Sequence, residues 1–222
     1  MNFIQWRSKL GLEEEGFILV KEKDFPGVCL NYDKEKELWR IRYDGERWGG
    51  FHLIHKLGFI WLWKKWGVLD SIKTNYFSNH LKPELRTYVD TIMDAIAYFA
   101  LAEMDRDFRT KLVDYELNNL LRVWKGSIRF PPNTSFIDKI GLYTYTYLKY
   151  SYFFPKAIGN IYLDKMTSVL DNIKKLIIKS TPSMEKMFID LHTHLGKFDT
   201  IKESESYEDI LDYSNHLFEI VN

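Results

Sequence analysis

The chain has 222 residues, of which 45% are hydrophobic and 28% are charged, and its formal net charge is zero. This composition excludes a disordered chain, and the length allows a full-sized core without disulfides or metals. The single cysteine, Cys29, excludes an intramolecular disulfide, and no secretory signal is visible at the N-terminus. We therefore expect a cytoplasmic protein.

The first 50 residues contain three short runs rich in β-forming residues, at 17–20, 27–32 and 38–43, after a short helical segment. In the third run Trp39 and Ile41 alternate with arginines, as they would in a strand with one buried face. These patterns predict a small antiparallel three-stranded meander. Because three strands need a cover on one face to be stable, we expect the meander to pack on the rest of the chain.

Residues 51–66 form the most apolar stretch of the chain. A membrane-spanning helix needs about 20 predominantly apolar residues, whereas the uncharged run from Leu57 to Trp63 has seven. The stretch is therefore predicted not to cross a membrane. It is either a core helix or an interaction patch for a membrane surface or a partner, and the patch would consist of Trp61, Trp63, Lys64, Lys65 and Trp66.

A long helical pattern begins at Pro83, which suits the first turn of a helix, and continues to Trp124. A single helix of that length would extend about 60 Å, which is too long for a compact domain of this size. We therefore predict a break in the charged segment from Glu103 to Asp107.

The second half of the chain contains one clear helix and one ambiguous segment after a Pro131-Pro132 linker. Residues 134–154 fit both the strand period and the helix period, and we favour a helix because the neighbouring segments are helical. From Ile158 to Ile177 the apolar residues recur at helical spacing, which predicts an amphipathic helix. A last helix is predicted to begin at Ser206, with Asp209 three residues later.

The segment FIDLHTHLG, residues 188–196, resembles the start of the metal site in several metal-dependent hydrolase families, where two histidines two residues apart leave a strand. Here the surrounding residues predict a helix, with Thr181 as the cap, Pro182 in the first turn and Gly196 at the end. On a helix His192 and His194 are about 200° apart. We therefore predict no metal site, two histidines that flank the apolar stripe, and little cost for His194→Ala.

Other pairs of titratable residues have spacings that suit a shared site. His52 and His55 are three residues apart, and the carboxylate pairs Asp90/Asp94 and Glu103/Asp107 are four apart. We favour ordinary roles for these pairs, namely satisfied or exposed histidines and solvated charged faces. The sequence has no glycine-rich phosphate loop, nucleophile elbow or cysteine cluster, so it gives an enzyme no support and predicts no cofactor.

The charges are unevenly distributed along the chain. Residues 121–187, here called the basic middle, carry 11 Lys and Arg against 4 Asp and Glu, a net charge of +7, whereas residues 188–222 carry 2 against 8. Cations contact phosphates and aromatic rings stack on unpaired bases. The residues predicted to contact nucleic acid are Arg122, Lys125, Arg129, Lys139, Tyr147, Lys149, Lys156, Lys165, Lys174 and Lys175. The richness in Ile, Lys, Glu and Tyr is also typical of thermophile proteins, which would explain the charges without a partner.

The sequence thus predicts a predominantly helical α+β fold, with a β-rich region at 1–50 and a helical region at 51–222 that form one continuous unit. The leading functional hypothesis is a non-catalytic binding protein that contacts nucleic acid or an acidic protein through the basic middle. The alternatives are a hydrolase-type enzyme with a histidine and carboxylate site, and a protein that docks through the interaction patch.

Overall fold

The computed structural model describes residues 2–25, 27–45, 49–74, 82–122, 133–153, 163–180 and 184–222. In these residues helices predominate and the N-terminal region supplies a three-stranded sheet, which confirms the predicted α+β class. The strands are β1 (Phe17–Lys21), β2 (Val28–Asp33) and β3 (Leu38–Tyr43). The helices are α1 (Phe3–Lys9), α2 (Gly50–Lys65), α3 (Leu69–Lys73), α4 (Pro83–Met104), α5 (Arg106–Arg122), α6 (Phe136–Leu148), α7 (Leu163–Ser180), α8 (Glu185–Leu195), α9 (Phe198–Lys202) and α10 (Tyr207–Val221).

The sheet has the order β1-β3-β2, so the predicted antiparallel meander is wrong in one respect. Strands β2 and β3 form the expected antiparallel pair, but β1 runs parallel to β3, with Phe17 opposite Trp39. Strand β3 lies at the centre of the sheet, and its inward residues Trp39 and Ile41 are fully buried. Arg42 donates two hydrogen bonds, of 2.9 and 2.8 Å, to the carboxylate of Glu22 directly after β1.

Helix α4 is the centre of the helical region and packs against α2, α5, α6 and α10. Pro83 occupies its first turn, as predicted. The predicted break is also confirmed, because α4 ends at Met104 and Asp105 has an extended backbone with φ −151°. The Asp105 carboxylate then accepts a 2.9 Å hydrogen bond from the Phe108 N–H and caps the start of α5.

The ambiguous segment 134–154 is helical where the structure describes it. Ser135 caps α6, since its Oγ accepts a hydrogen bond from the Asp138 N–H at 3.0 Å. After Leu148 the chain continues as one turn of π-helix, here called the π-turn, over Lys149–Phe153. The Pro131-Pro132 linker and the residues from Pro155 to Tyr162 lie outside the described part of the chain.

The C-terminal helices complete the core. Helix α8 covers His192 and His194, which confirms the helical interpretation, although the predicted cap at Thr181 and Pro182 lies outside the described residues. Helix α10 begins after Ser206, as predicted, and packs against α4 and α8. Within the described ranges, no helix is both long and apolar enough to cross a membrane.

Candidate active site

A cavity of about 250 Å³ lies between strand β2 and helices α2, α4, α5 and α6. Its walls carry acids, bases and aromatic rings from segments that are far apart in the sequence. The side chains around it are Val28, His52, His55, Lys56, Asp94, Tyr98, Tyr115, Glu116, Tyr145 and Lys149.

Helical spacing explains why these side chains converge. His52, His55 and Lys56 are three and four residues apart on α2, so they share one face of that helix. Asp94 and Tyr98 are four apart on α4, and Tyr145 and Lys149 are four apart at the end of α6. Because α4 packs against α2, α5 and α6, these faces meet at a single cavity.

His55 and Asp94 form the most unusual contact in the cavity wall. His55 Nε2 lies 3.3 Å from Asp94 Oδ1, and the His55 side chain is 5% exposed. Both atoms are enclosed, and within the described part of the chain neither of these two atoms has a hydrogen-bond partner. The Tyr98 ring stacks on the imidazole with a centroid distance of 3.8 Å and an interplanar angle of 2°.

Burial shifts both groups toward their neutral forms. It lowers the pKa of His55 well below its ordinary 6.5 and raises the pKa of Asp94 from 3.8 to about 6. Although 34% of the Asp94 side chain is exposed, its Oδ1 atom is enclosed, and the burial of this atom gives the direction of the pKa shift. Burial also lowers the pKa of His52 to about 4. At neutral pH the two imidazoles are therefore uncharged.

Lys149 and Glu116 form a buried ion pair in the same wall. Their side chains are 10% and 9% exposed, and Lys149 Nζ donates a hydrogen bond to Glu116 Oε1. The ammonium lies 3.6 Å from the centroid of the Tyr145 ring and 5.5 Å from that of Tyr98. Burial lowers the pKa of Lys149, against the opposing effect of Glu116.

No protein-family model, curated protein or solved structure matches this chain. The function of the cavity must therefore be inferred from its own residues.

One residue of the predicted nucleic-acid surface lies in the wall of the cavity. Lys149 is 8% exposed and pairs with Glu116, and this position does not favour a contact with a phosphate on the outer surface. Lys174 lies 5.3 Å from the Phe188 ring, Lys175 is exposed, and Tyr147 is half-buried against His192.

The other predicted contacts to nucleic acid or an acidic protein remain predictions. Lys139 is half-buried on α6. Arg122 lies on α5 and Lys165 lies on α7, but the structure does not describe the side chain of either residue. Lys125, Arg129 and Lys156 are outside the described residues altogether.

The interaction patch does not form one continuous surface. Trp61 and Lys65 line a groove of about 310 Å³ between α2, α4 and α9. Trp63 stacks on Trp39 of the sheet at 5.6 Å. Trp66 is 7% exposed and donates a 3.2 Å hydrogen bond to the Ser204 carbonyl. Lys64 Nζ donates a hydrogen bond of 2.6 Å to the Gly11 carbonyl. Docking through the interaction patch stays a prediction.

The two histidines of α8 contact different helices. His192 Nε2 hydrogen-bonds with the Tyr143 hydroxyl on α6, whereas His194 Nε2 donates to the Tyr213 carbonyl on α10 at 2.9 Å. Among the described residues, no group of three or more His, Cys, Asp and Glu side chains is arranged to hold a metal ion. His194 is 5% exposed, so the buried face of α8 extends to this histidine.

Replacement of Asp94 by asparagine is expected to change how stability depends on pH. An acid whose pKa is raised on folding binds its proton more tightly in the folded state, so it stabilises the protein below its ordinary pKa and loses this contribution as pH rises through about 6. The free energy of unfolding of the wild type, relative to Asp94→Asn, should therefore fall between about pH 4 and pH 7. Urea denaturation across this range measures the difference, and a difference that is constant or rises with pH would contradict the assignment.

Proposed function

We propose that this protein is an enzyme that binds a small polar molecule in the cavity and transfers protons to and from it through His55 and Asp94. The observation that carries the proposal is the contact beside the cavity between two enclosed polar atoms, His55 Nε2 and Asp94 Oδ1, to which no described residue offers a hydrogen bond. Buried polar atoms are almost always hydrogen-bonded, and each orphaned group costs about 1–3 kcal/mol. A substrate that hydrogen-bonds to both atoms from the cavity side, once the two side chains rotate apart, would remove this cost.

Asp94 is suited to proton transfer near neutral pH, and His55 is held in its neutral form. A neutral imidazole accepts a proton, and a carboxyl group with a pKa of about 6 gains or loses one within the working range of most enzymes. The stacked Tyr98 ring fixes the plane of the imidazole. The cavity of about 250 Å³ is slightly smaller than most ligand sites, which favours a small substrate.

The charges of the cavity indicate a polar substrate. Lys56 and the Lys149–Glu116 pair lie beside the proton-transfer pair, and Tyr115 and Tyr145 add hydroxyl groups. This arrangement corresponds to the enzyme alternative with a histidine and carboxylate site. The residues lie on α2 and α4 and not on the histidine segment of α8.

The proposal is tested by incubating the protein with a panel of small carboxylic acids, amino acids, sugars, nucleobases, aldehydes and ketones and following each compound by ¹H NMR. General acid–base catalysis contributes about 10²–10⁴ in rate, so His55→Gln and Asp94→Asn should each slow the conversion by that factor. His216→Gln is the matched control, because this imidazole is 56% exposed and distant in sequence from the cavity residues.

Circular dichroism would verify that each variant remains folded. Conversion at the wild-type rate in both variants would contradict the proposal, and so would a wild-type protein that neither binds nor converts any compound of the panel.

A further inference from the structure

The cavity contains a buried primary amine for which simple proton transfer has no use. Lys149 Nζ is held in the wall by Glu116, and the residue is 8% exposed. A lysine that serves only solubility is exposed to water, as Lys175 is. A buried lysine beside a cavity is instead placed to react with a molecule that enters it.

We infer that Lys149 is a nucleophile that forms an imine with a small aldehyde or ketone bound in the cavity, an inference that rests on the proposed enzymatic function. The geometry that supports it is the joint position of the amine, an acid partner and a proton-transfer pair around one cavity, namely Lys149, Glu116 and the pair His55 and Asp94.

The surroundings of Lys149 favour the reactive form of the amine. The Tyr145 and Tyr98 rings lie 3.6 and 5.5 Å from Nζ and shield it from water. In such a low-dielectric site, a proton that moves from Lys149 to Glu116 converts two buried charges into a neutral amine and a neutral acid. Burial lowers the pKa of Lys149, which acts in the same direction.

The backbone at Lys149 provides an independent observation. The α-helix α6 ends at Leu148, and Lys149 is the first residue of a π-turn that extends to Phe153. Such turns are rare, and they are found frequently at functional sites. The Tyr152 hydroxyl fixes this turn by donating hydrogen bonds of 3.1 and 3.2 Å to the Leu195 and Gly196 carbonyls.

The reaction balances with the groups that the cavity supplies. The Lys149 ammonium gives one proton to the Glu116 carboxylate, and the nitrogen lone pair then adds to the carbonyl carbon while the oxygen takes a second proton from that nitrogen. When the C=N bond forms and the C–O bond breaks, the hydroxyl leaves as water with the proton that Glu116 held. The products are an iminium on Lys149, one water and the Glu116 carboxylate, so the ion pair is restored.

The iminium gives His55 and Asp94 a defined task. The positive charge of Lys149 already acts on the pKa of both groups, so the three lie within electrostatic reach of one another. An iminium weakens the neighbouring C–H bond, and His55 or ionised Asp94 would accept that proton while the electron pair moves to the carbon–nitrogen system. The product is an enamine on Lys149 and a protonated base.

Reductive trapping in the full-length chain tests the inference. The protein is incubated separately with pyruvate, dihydroxyacetone and propanal at about pH 7.5 in the presence of sodium cyanoborohydride, and the modified lysines are mapped by peptide mass spectrometry. Only about one exposed amine in a thousand is neutral at this pH. With at least one of the three compounds, we therefore expect modification of Lys149 to exceed that of exposed Lys175 by at least about tenfold.

Two variants serve as controls. Lys149→Met combined with Glu116→Leu removes the amine and its partner together, and the dominant adduct should disappear. Lys175→Met should leave it unchanged. Modification mainly of Lys56, modification spread over exposed lysines, or no adduct with any of the three compounds would overturn the inference.

The outcome separates this inference from the proposed function. If His55→Gln and Asp94→Asn abolish a conversion while Lys149 is never trapped, the proton-transfer function stands and the nucleophile is wrong. If Lys149 is trapped but neither variant changes any conversion, the amine reacts and the roles of His55 and Asp94 are wrong.

Discussion

Replacement of Leu191 by alanine is expected to lower the free energy of unfolding by about 2 to 5 kcal/mol, one of the two largest effects that we predict. Leu191 is 0% exposed on α8, where it belongs to the central core with Phe188 and Leu195. The loss combines the transfer of the deleted methyl groups with the cavity that they leave behind. Urea denaturation with an unchanged slope against denaturant concentration would measure it.

Ile189 offers a matched control on the same helix, because its side chain is 65% exposed. Ile189→Ala removes an aliphatic side chain of equal size and should alter stability by less than about 0.5 kcal/mol. Similar losses from both substitutions would mean that the buried face of α8 has been assigned incorrectly.

The direction of the two histidines in α8 could be predicted because it depends only on local periodicity. Residues two apart on a helix point to different sides, and His192 and His194 indeed contact α6 and α10 respectively. The burial of His194 could not be predicted, because it depends on the packing of α10 against α8. Because the His194 imidazole is buried and stacks on Tyr213 at 4.1 Å, we expect His194→Ala to lower the free energy of unfolding by more than the sequence predicts.

The sheet illustrates the same difference between local and distant information. The alternation in β3 identifies Trp39 and Ile41 as the buried residues, and both are. The side of β3 on which β1 lies, and hence the direction of β1, depends on contacts between strands that are not neighbours in the sequence. Neither hydrophobic pattern nor turn residues encode these contacts, so the order β1-β3-β2 was not predicted.

The cavity was missed because its residues come from five separate elements. In the sequence, His52 and His55 form one pair, and Asp90 and Asp94 form another. No sequence motif joins these pairs to Glu116 and Lys149. The sequence predicts a surface position for Lys149 because it is one of many cations in the basic middle. The available signal in the sequence is a lysine four residues after Tyr145 in a segment rich in tyrosine.

Lys149→Met is the second substitution with a large expected effect. It removes the partner of Glu116, whose side chain is 9% exposed, and so leaves a carboxylate without compensation in a low-dielectric wall. Breaking a buried ion pair in this way costs about 3–5 kcal/mol. Thermal and urea denaturation of the wild type and the variant would measure the loss.

The double variant Lys149→Met, Glu116→Leu distinguishes charge from packing. Replacing both members of a buried ion pair by apolar residues of similar size is often neutral or stabilising, so the double variant should recover most of the stability lost in Lys149→Met. If it is as unstable as the single variant, the contact of Lys149 with the Tyr145 and Tyr98 rings contributes more than the ion pair does. Recovery would instead mean that the fold gains little stability from the charged pair. A pair beside a cavity that contributes little to stability would fit the proposed role of Lys149 as a reactive amine.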